Sequence, residues 1–407
     1  VSFDSEIRQQ LDMEFLRISE SGHESLLQKE KKRGLMRALA GICGVLMLAL
    51  PALAAPLHPV FEVDRNWPKQ MPNGYVFGPA GGVTVDSKGH VWVYSRPTQL
   101  RLTLMNPPNP TSGMPAPAVV ELTADGTFVQ GWGGPLAMSE SERAKFDWPV
   151  QEHGIAVDTK GNVWVCGNGR DARTGRDDDQ CLKFTHDGKF LMQIGHSGKS
   201  KGSLDTENLG HPSQPVYWAR DNELFVSDGY VNRRVYVADA DTGKFKRMWG
   251  AYGHVPDDSA PRDRRYDPPL QQFNLLHGMT ISRDGTVYVA DRNANRVQAF
   301  TLDGKFLKEG WVSRSSPQAD FGTAFAVALS GDKAQRFLYV ADGHNERVQV
   351  LDRQTLQQIP GAEIGHPGPY PGQFFNIHVM ASDAQGNLYV GEGGGRVQKF
   401  IYKGMAH

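Results

Sequence analysis

HGMTISRDGTVYVADR, residues His277 to Arg292, is followed by RVQAF at Arg296 to Phe300. The first half alternates around Met279 and Ile281, turns at Asp284-Gly285, and continues into the β-branched and aromatic run VYV, the pattern of a β-hairpin. RVQAF reads as a third antiparallel strand. The frame recurs at Gly81 (GGVTVDSKGHVWVYSR), His153 (HGIAVDTKGNVWVCGN) and His378 (HVMASDAQGNLYVGEG). Divergent copies start at Ser213 (SQPVYWARDNELFVSDGY) and Ala324 (AFAVALSGDKAQRFLYVADG).

Fourth strands are visible as FVQGW at Phe128, FLMQI at Phe190 and FKRMW at Phe245. Repeated small antiparallel sheets at a period of about 40 to 50 residues imply an all-β chain, a six-bladed β-propeller over 56–407. The last copy stops after RVQKFIY with no fourth strand. The segment from His58 to Asp64 is expected to fill that place, closing the ring and hiding its sheet edges. Insertions at 99–118, 133–149, 168–180 and 253–272 are rich in Pro, Asp and Arg and read as surface loops.

The 407 residues carry a formal net charge of −1, and basic and acidic residues are interspersed, which excludes a nucleic-acid partner. Met36–Ala55 combines Arg37, a short apolar run and the small-x-small site Ala52-Leu53-Ala54, the parts of a secretory signal. The run is shorter than the ~20 residues of a spanning helix. Export to the periplasm or medium is the expectation, with a retained membrane anchor as the alternative. Residues 1–35 form a polar extension, with Met36 expected as the native start. Of three cysteines, Cys43 falls in the apolar run. Cys166 and Cys181 end one expected strand and begin the next, so either a hairpin-spanning disulfide or two buried thiols fits.

Aligned on the turn glycines, His153, His277 and His378 stand at the same distance ahead of Gly161, Gly285 and Gly386. Gly81, Ser213 and Ala324 are expected in that slot in the other copies. First strands line a propeller's central channel, so histidines in alternate blades converge on the axis beside small residues. Three neutral imidazoles suit a metal such as zinc at about 2.0–2.1 Å, though iron or another divalent ion takes the same ligands.

The second strand ends on the channel face where the first begins, so residues just past it crowd the mouth. Arg96, Tyr230 and Arg292 sit there. Arginine stabilises a nearby phenolate, lowering its pKa toward use as a base, and its planar fork grips a carboxylate. Asp228 and Asp291 recur in V-[AS]-D and read as turn architecture. His344 lacks the strand-start slot, and Asp177-Asp-Asp179 reads as a solvated acidic loop.

The frame with V-[AS]-D-x-x-x-x-R-V resembles the NHL repeat family. HGIAVD at His153, FVSDGYVNRRV at Phe225, HGMTIS with VADRNANRVQAF, and IHVMASDAQGNLYVGE at Ile377 resemble the peptidyl-α-hydroxyglycine α-amidating lyases over most of 78–402. The resemblance implies a zinc-dependent carbon–nitrogen lyase, with zinc on His153, His277 and His378, Tyr230 as base, and Arg292 and Arg96 for charge and carboxylate. It also implies a structural calcium on the backbone oxygens of Val83 and Ile155. The aspartate that would complete that calcium site is Val379 here, and the cysteine after the family's tyrosine is Val231. The expected substrate is a peptide or small molecule ending in a hydroxyglycine-like carbinolamide. A non-enzymatic exported propeller that binds a protein or glycan is the competing class.

Overall fold

The computed structural model describes residues 57–100, 113–263 and 268–406. The extension 1–35 and the apolar segment 36–55 lie outside them. The described chain is a six-bladed β-propeller. Its inner strands are Ala80–Val85, Glu152–Val157, Pro212–Trp218, Leu276–Ile281, Ala324–Leu329 and Ile377–Ser382. Each touches the next, and the last returns to the first, so the inner strands form a closed ring.

Each inner strand pairs antiparallel with a second strand, which pairs with a third. Blades one to four add a fourth strand, and blade five is a three-stranded sheet. Blade six is completed by His58–Val63, which pairs antiparallel with Val397–Ala406 as expected. The ring is thereby closed by strands from opposite ends of the described chain.

Apolar alternation puts one face of each blade against its neighbour. The core accordingly falls into clusters between successive blades, such as Trp92, Val119, Leu182 and Phe184 between blades one and two. Another, with Tyr339, Val350, Met380 and Phe400, joins blades five and six. Large residues such as Trp92, Trp164 and Tyr389 have no exposed surface.

In blades three and four the recurring Asp and Arg of V-[AS]-D-x-x-x-x-R-V form buried pairs, whereas in blade five Arg347 donates to the Asn345 carbonyl at 3.2 Å. Arg234 Nε donates to Asp228 at 2.8 Å and Arg296 Nε to Asp291 at 3.0 Å, all four residues being fully buried. The other oxygen of Asp291 accepts the N–H groups of Asn274 and Leu275 at 2.9 and 3.0 Å. The motif thus anchors the chain just before His277. A buried ion pair survives only when such hydrogen bonds satisfy its remaining atoms.

Blade two has Gly167 at the register position of Asp291. There Asp178, from the 168–180 insertion, accepts N–H from Val150 and Gln151 at 2.7 and 3.0 Å. Asp178 and Asp179 are buried, which overturns the solvated-loop reading of this acidic run. The insertion supplies the carboxylate that the blade's own strand lacks. Cys166 and Cys181 are bonded across paired strands of this blade.

Candidate metal centre and cleft

Each inner strand is bulged near its start: the residue left out of the pairing is Gly81, His277, Phe325 and His378 in blades one, four, five and six, in blade two His153 pairs with Cys166 and the next residue, Gly154, is left out, and Ser213 lies inside a wider irregularity. A bulge re-aims a side chain without breaking the sheet. It turns the three rings inward. In blade five the slot holds Phe325 and not Ala324, because the turn at 330–336 is longer than in the other blades and displaces a count made from the turn. Small residues therefore occupy only Gly81 and Ser213.

His153, His277 and His378 are buried, at 1%, 1% and 8% exposure. Their Nδ1 atoms face the carbonyl oxygens of Ser213 at 3.1 Å, Phe325 at 2.7 Å and Ala80 at 2.7 Å. A carbonyl only accepts, so each Nδ1 carries the proton and each Nε2 presents a lone pair. The His277 Nε2 lies 3.2 Å from those of both His153 and His378. Three lone pairs at that spacing repel one another unless a cation stands between them. The donor set therefore fits a metal ion.

Burial holds all three imidazoles below their ordinary pKa, with neighbouring histidines and Arg96 or Arg292 adding to it at His153 and His277, and Arg96 and Arg292 at His378, which falls to about 3. They are neutral, as metal ligands must be.

The Tyr230 hydroxyl stands 3.2 Å from His153 Nε2. Burial raises its pKa more than Arg292 and Arg96 lower it. The arginines act in the expected direction, but their effect is the smaller one. Arg292 and Asn168 both stand close enough to Tyr230 to act on its pKa, each lowering it. Arg96 Nε donates to the Glu152 carbonyl at 2.8 Å, holding its guanidinium beside the channel. The Arg292 guanidinium lies 4.0 Å over the Phe325 ring. Arg96, Tyr230, Arg292, Asn168 and His378 share the lining of one cleft of about 920 Å3. The predicted mouth residues are thus brought together with the triad.

Calcium does not fit the expected backbone pair. Val379 is an apolar core residue packed with Val83, and the Gln214 amide donor approaches the Ile155 oxygen at 3.5 Å. That set lacks the anionic oxygens a hard dication takes. Asp86, His90 and Glu121 form a second cluster among the described residues. His90 Nδ1 is already 2.6 Å from Glu121, and Gln130 donates to the same carboxylate at 2.8 Å, so hydrogen bonds satisfy it. His344 packs edge-on against Phe325 and Phe321 and is not one of the three clustered ligand residues.

Strand register reveals a slot that sequence reading missed. Ser95, Gly167, Asp228, Asp291, Asp342 and Glu392 are equivalent by their pairing with the inner strands. The next residues are Arg96, Asn168, Gly229, Arg292, Gly343 and Gly393. Asn168 was visible there as the one uncharged polar side chain beside two arginines and three glycines.

The family model for the NHL repeat matches residues 273–300, in blade four. The chain is 25% identical over 353 residues to NHL repeat-containing protein 3 of Mus musculus, covering 84% of each. It is 26% identical over 370 residues to peptidyl-alpha-hydroxyglycine alpha-amidating lyase 2 of Drosophila melanogaster, covering 86% of this chain and 77% of that one. Peptidylglycine alpha-amidating monooxygenase of Rattus norvegicus matches at 31% over 250 residues, 59% of this chain and 22% of that one. The chain is thus a propeller with an NHL repeat matched in blade four, and it resembles, at modest identity and across most of its length, a protein named as an α-amidating lyase.

Proposed function

We propose that the protein is an exported zinc lyase that cleaves the C–N bond of a peptidyl-α-hydroxyglycine or similar carbinolamide, releasing an amide and glyoxylate. The observation that carries the reading is the triad of bare Nε2 atoms with the Tyr230 hydroxyl 3.2 Å from one of them, in a cleft that two arginines share. The similarity to proteins named as amidating lyases supports it.

His153, His277 and His378 would hold the zinc, which supplies a Lewis acid to the carbinol oxygen and positive charge beside the Tyr230 phenol. Tyr230 takes the carbinol O–H proton. The oxygen's electron pair closes the aldehyde C=O, the C–N bond breaks, and the nitrogen leaves with the bonding pair and gains a proton. Arg292 and Arg96 bind the carboxylate that becomes that of glyoxylate, since planar guanidinium forks match carboxylate geometry. Burial of the cleft's polar groups strengthens each of these contacts.

Glyoxylate release from α-hydroxyhippurate by zinc-loaded protein tests the reading. The expected result is turnover that Tyr230→Phe abolishes or strongly slows. No release by the loaded wild-type protein would favour the binding-propeller class instead.

A further inference from the structure

Asn168 stands in the cleft as a built feature that the proposed roles do not use. Its backbone N–H donates to the Gln151 carbonyl at 3.1 Å. It lies between Gly167 and Gly169, where an added Cβ would fall 2.4 Å from Pro149 Cβ and 2.6 Å from Gln151 Cβ. The Asp178 carboxylate accepts the Gly169 N–H at 2.6 Å as well as those of Val150 and Gln151. Asn168 is thus clamped on both sides, and its placement is set before any ligand arrives.

The Asn168 side chain lies beside Tyr230 and acts to lower its pKa. Its Oδ1 is buried in the cleft wall with no hydrogen-bond partner. Burying an acceptor without a partner is costly, so one maintained at a cleft marks a place where a ligand donor completes it. The guanidiniums of Arg96 and Arg292 only donate, so neither can receive an N–H.

We infer that Asn168 is a substrate-binding residue whose Oδ1 accepts the amide N–H of the ligand, the nitrogen that leaves in the proposed cleavage. The inference rests on the lyase reading for the identity of that nitrogen. With the carboxylate on the arginines and the carbinol oxygen at Tyr230, the amide is the remaining group on the reacting carbon. It carries a donor, and Asn168 next to Tyr230 offers the missing acceptor. The site therefore selects secondary amides, R–CO–NH–CH(OH)–COO⁻, over N-alkylated ones.

Calorimetric binding of hippurate and of its N-methyl counterpart, N-benzoylsarcosine, tests this without turnover. The wild-type protein is expected to bind hippurate about tenfold more tightly or better, and Asn168→Ala to bind the two within about twofold. A steric objection to the methyl group would persist in the alanine variant, and loss of support for Tyr230 would lower turnover without changing the binding ratio. Equal binding of both compounds by the wild type, equal discrimination by both proteins, or no binding of hippurate overturns the inference. Discrimination lost in Asn168→Ala, with no glyoxylate released from α-hydroxyhippurate by the wild type, would sink the lyase reading and leave Asn168's role standing.

Discussion

The His277 Nδ1–H points at the Phe325 carbonyl 2.7 Å away, so the backbone of one blade sets the tautomer of a ring from the next. The freed Nε2 lies 3.2 Å from two others. His277→Ala removes the shared member of both close pairs. Zinc content measured by plasma mass spectrometry is expected to fall from about one per chain to near zero, and chelation to lower the wild-type Tm. A metal bound at 100 times its Kd adds about 2.7 kcal/mol of stability. A variant that retained stoichiometric metal would show that the triad is not the site.

Tyr230→Phe keeps the ring and deletes the hydroxyl beside His153 Nε2. The variant is expected to keep its metal and lose kcat by about 100-fold or more, as for removal of a general base. Unchanged kcat would assign the proton transfer elsewhere.

Phe325 acts twice, through its carbonyl to His277 and through its ring beneath Arg292. Phe325→Leu retains the first and removes the second. Loss of a partly buried cation–π contact of about 1 kcal/mol predicts a rise in KM of roughly fivefold, with metal content unaltered. A variant with wild-type KM would remove Phe325 from substrate binding.

The Cys166–Cys181 bond joins residues separated by 15 positions and fully buried on adjacent strands. Closing a loop of that length in the unfolded chain is worth about 3 kcal/mol. The Cys166→Ala/Cys181→Ala protein is expected to unfold in urea with stability lowered by about 2–3 kcal/mol. Coincident unfolding curves would contradict this.

At the outer edge, Arg353 of blade five donates to Asp284 of blade four at 2.9 Å. Burial raises the Asp284 carboxyl, but the Ser282 hydroxyl and the Arg353 guanidinium outweigh it and hold it at about 2. The folded pKa lies below the unfolded value near 3.9, so this stabilisation is full above that pH and fades as pH falls through about 2. Asp284 is 55% exposed, so screening limits it to under about 1 kcal/mol. The stability gap between wild type and Asp284→Asn should close between pH 4 and pH 2. A gap independent of pH would assign the effect to packing.

Much of this architecture is legible in linear order. Alternating strands, Asp-Gly turns and a repeated frame are local properties, and six copies of a sheet too small to bury its own faces imply a ring. The closing strand followed from counting: blade six lacked a partner, and His58–Val63 supplied it. The alternating histidines were visible because each sits at one spacing from a turn glycine.

Other features follow no spacing. Phe325 takes the fifth slot because register answers to packing between blades, and a longer turn leaves that register intact while shifting the count. Asp178 replaces a missing strand aspartate from within a loop, since a carboxylate need only reach the Val150 and Gln151 amides, whatever its position in the chain. Burial, which outweighs two nearby arginines at Tyr230, is a property of everything packed around a group. Repeats thus set the strands and the histidine ladder locally, while side-chain direction, tautomer and charge balance at the cleft depend on contacts between blades far apart in sequence.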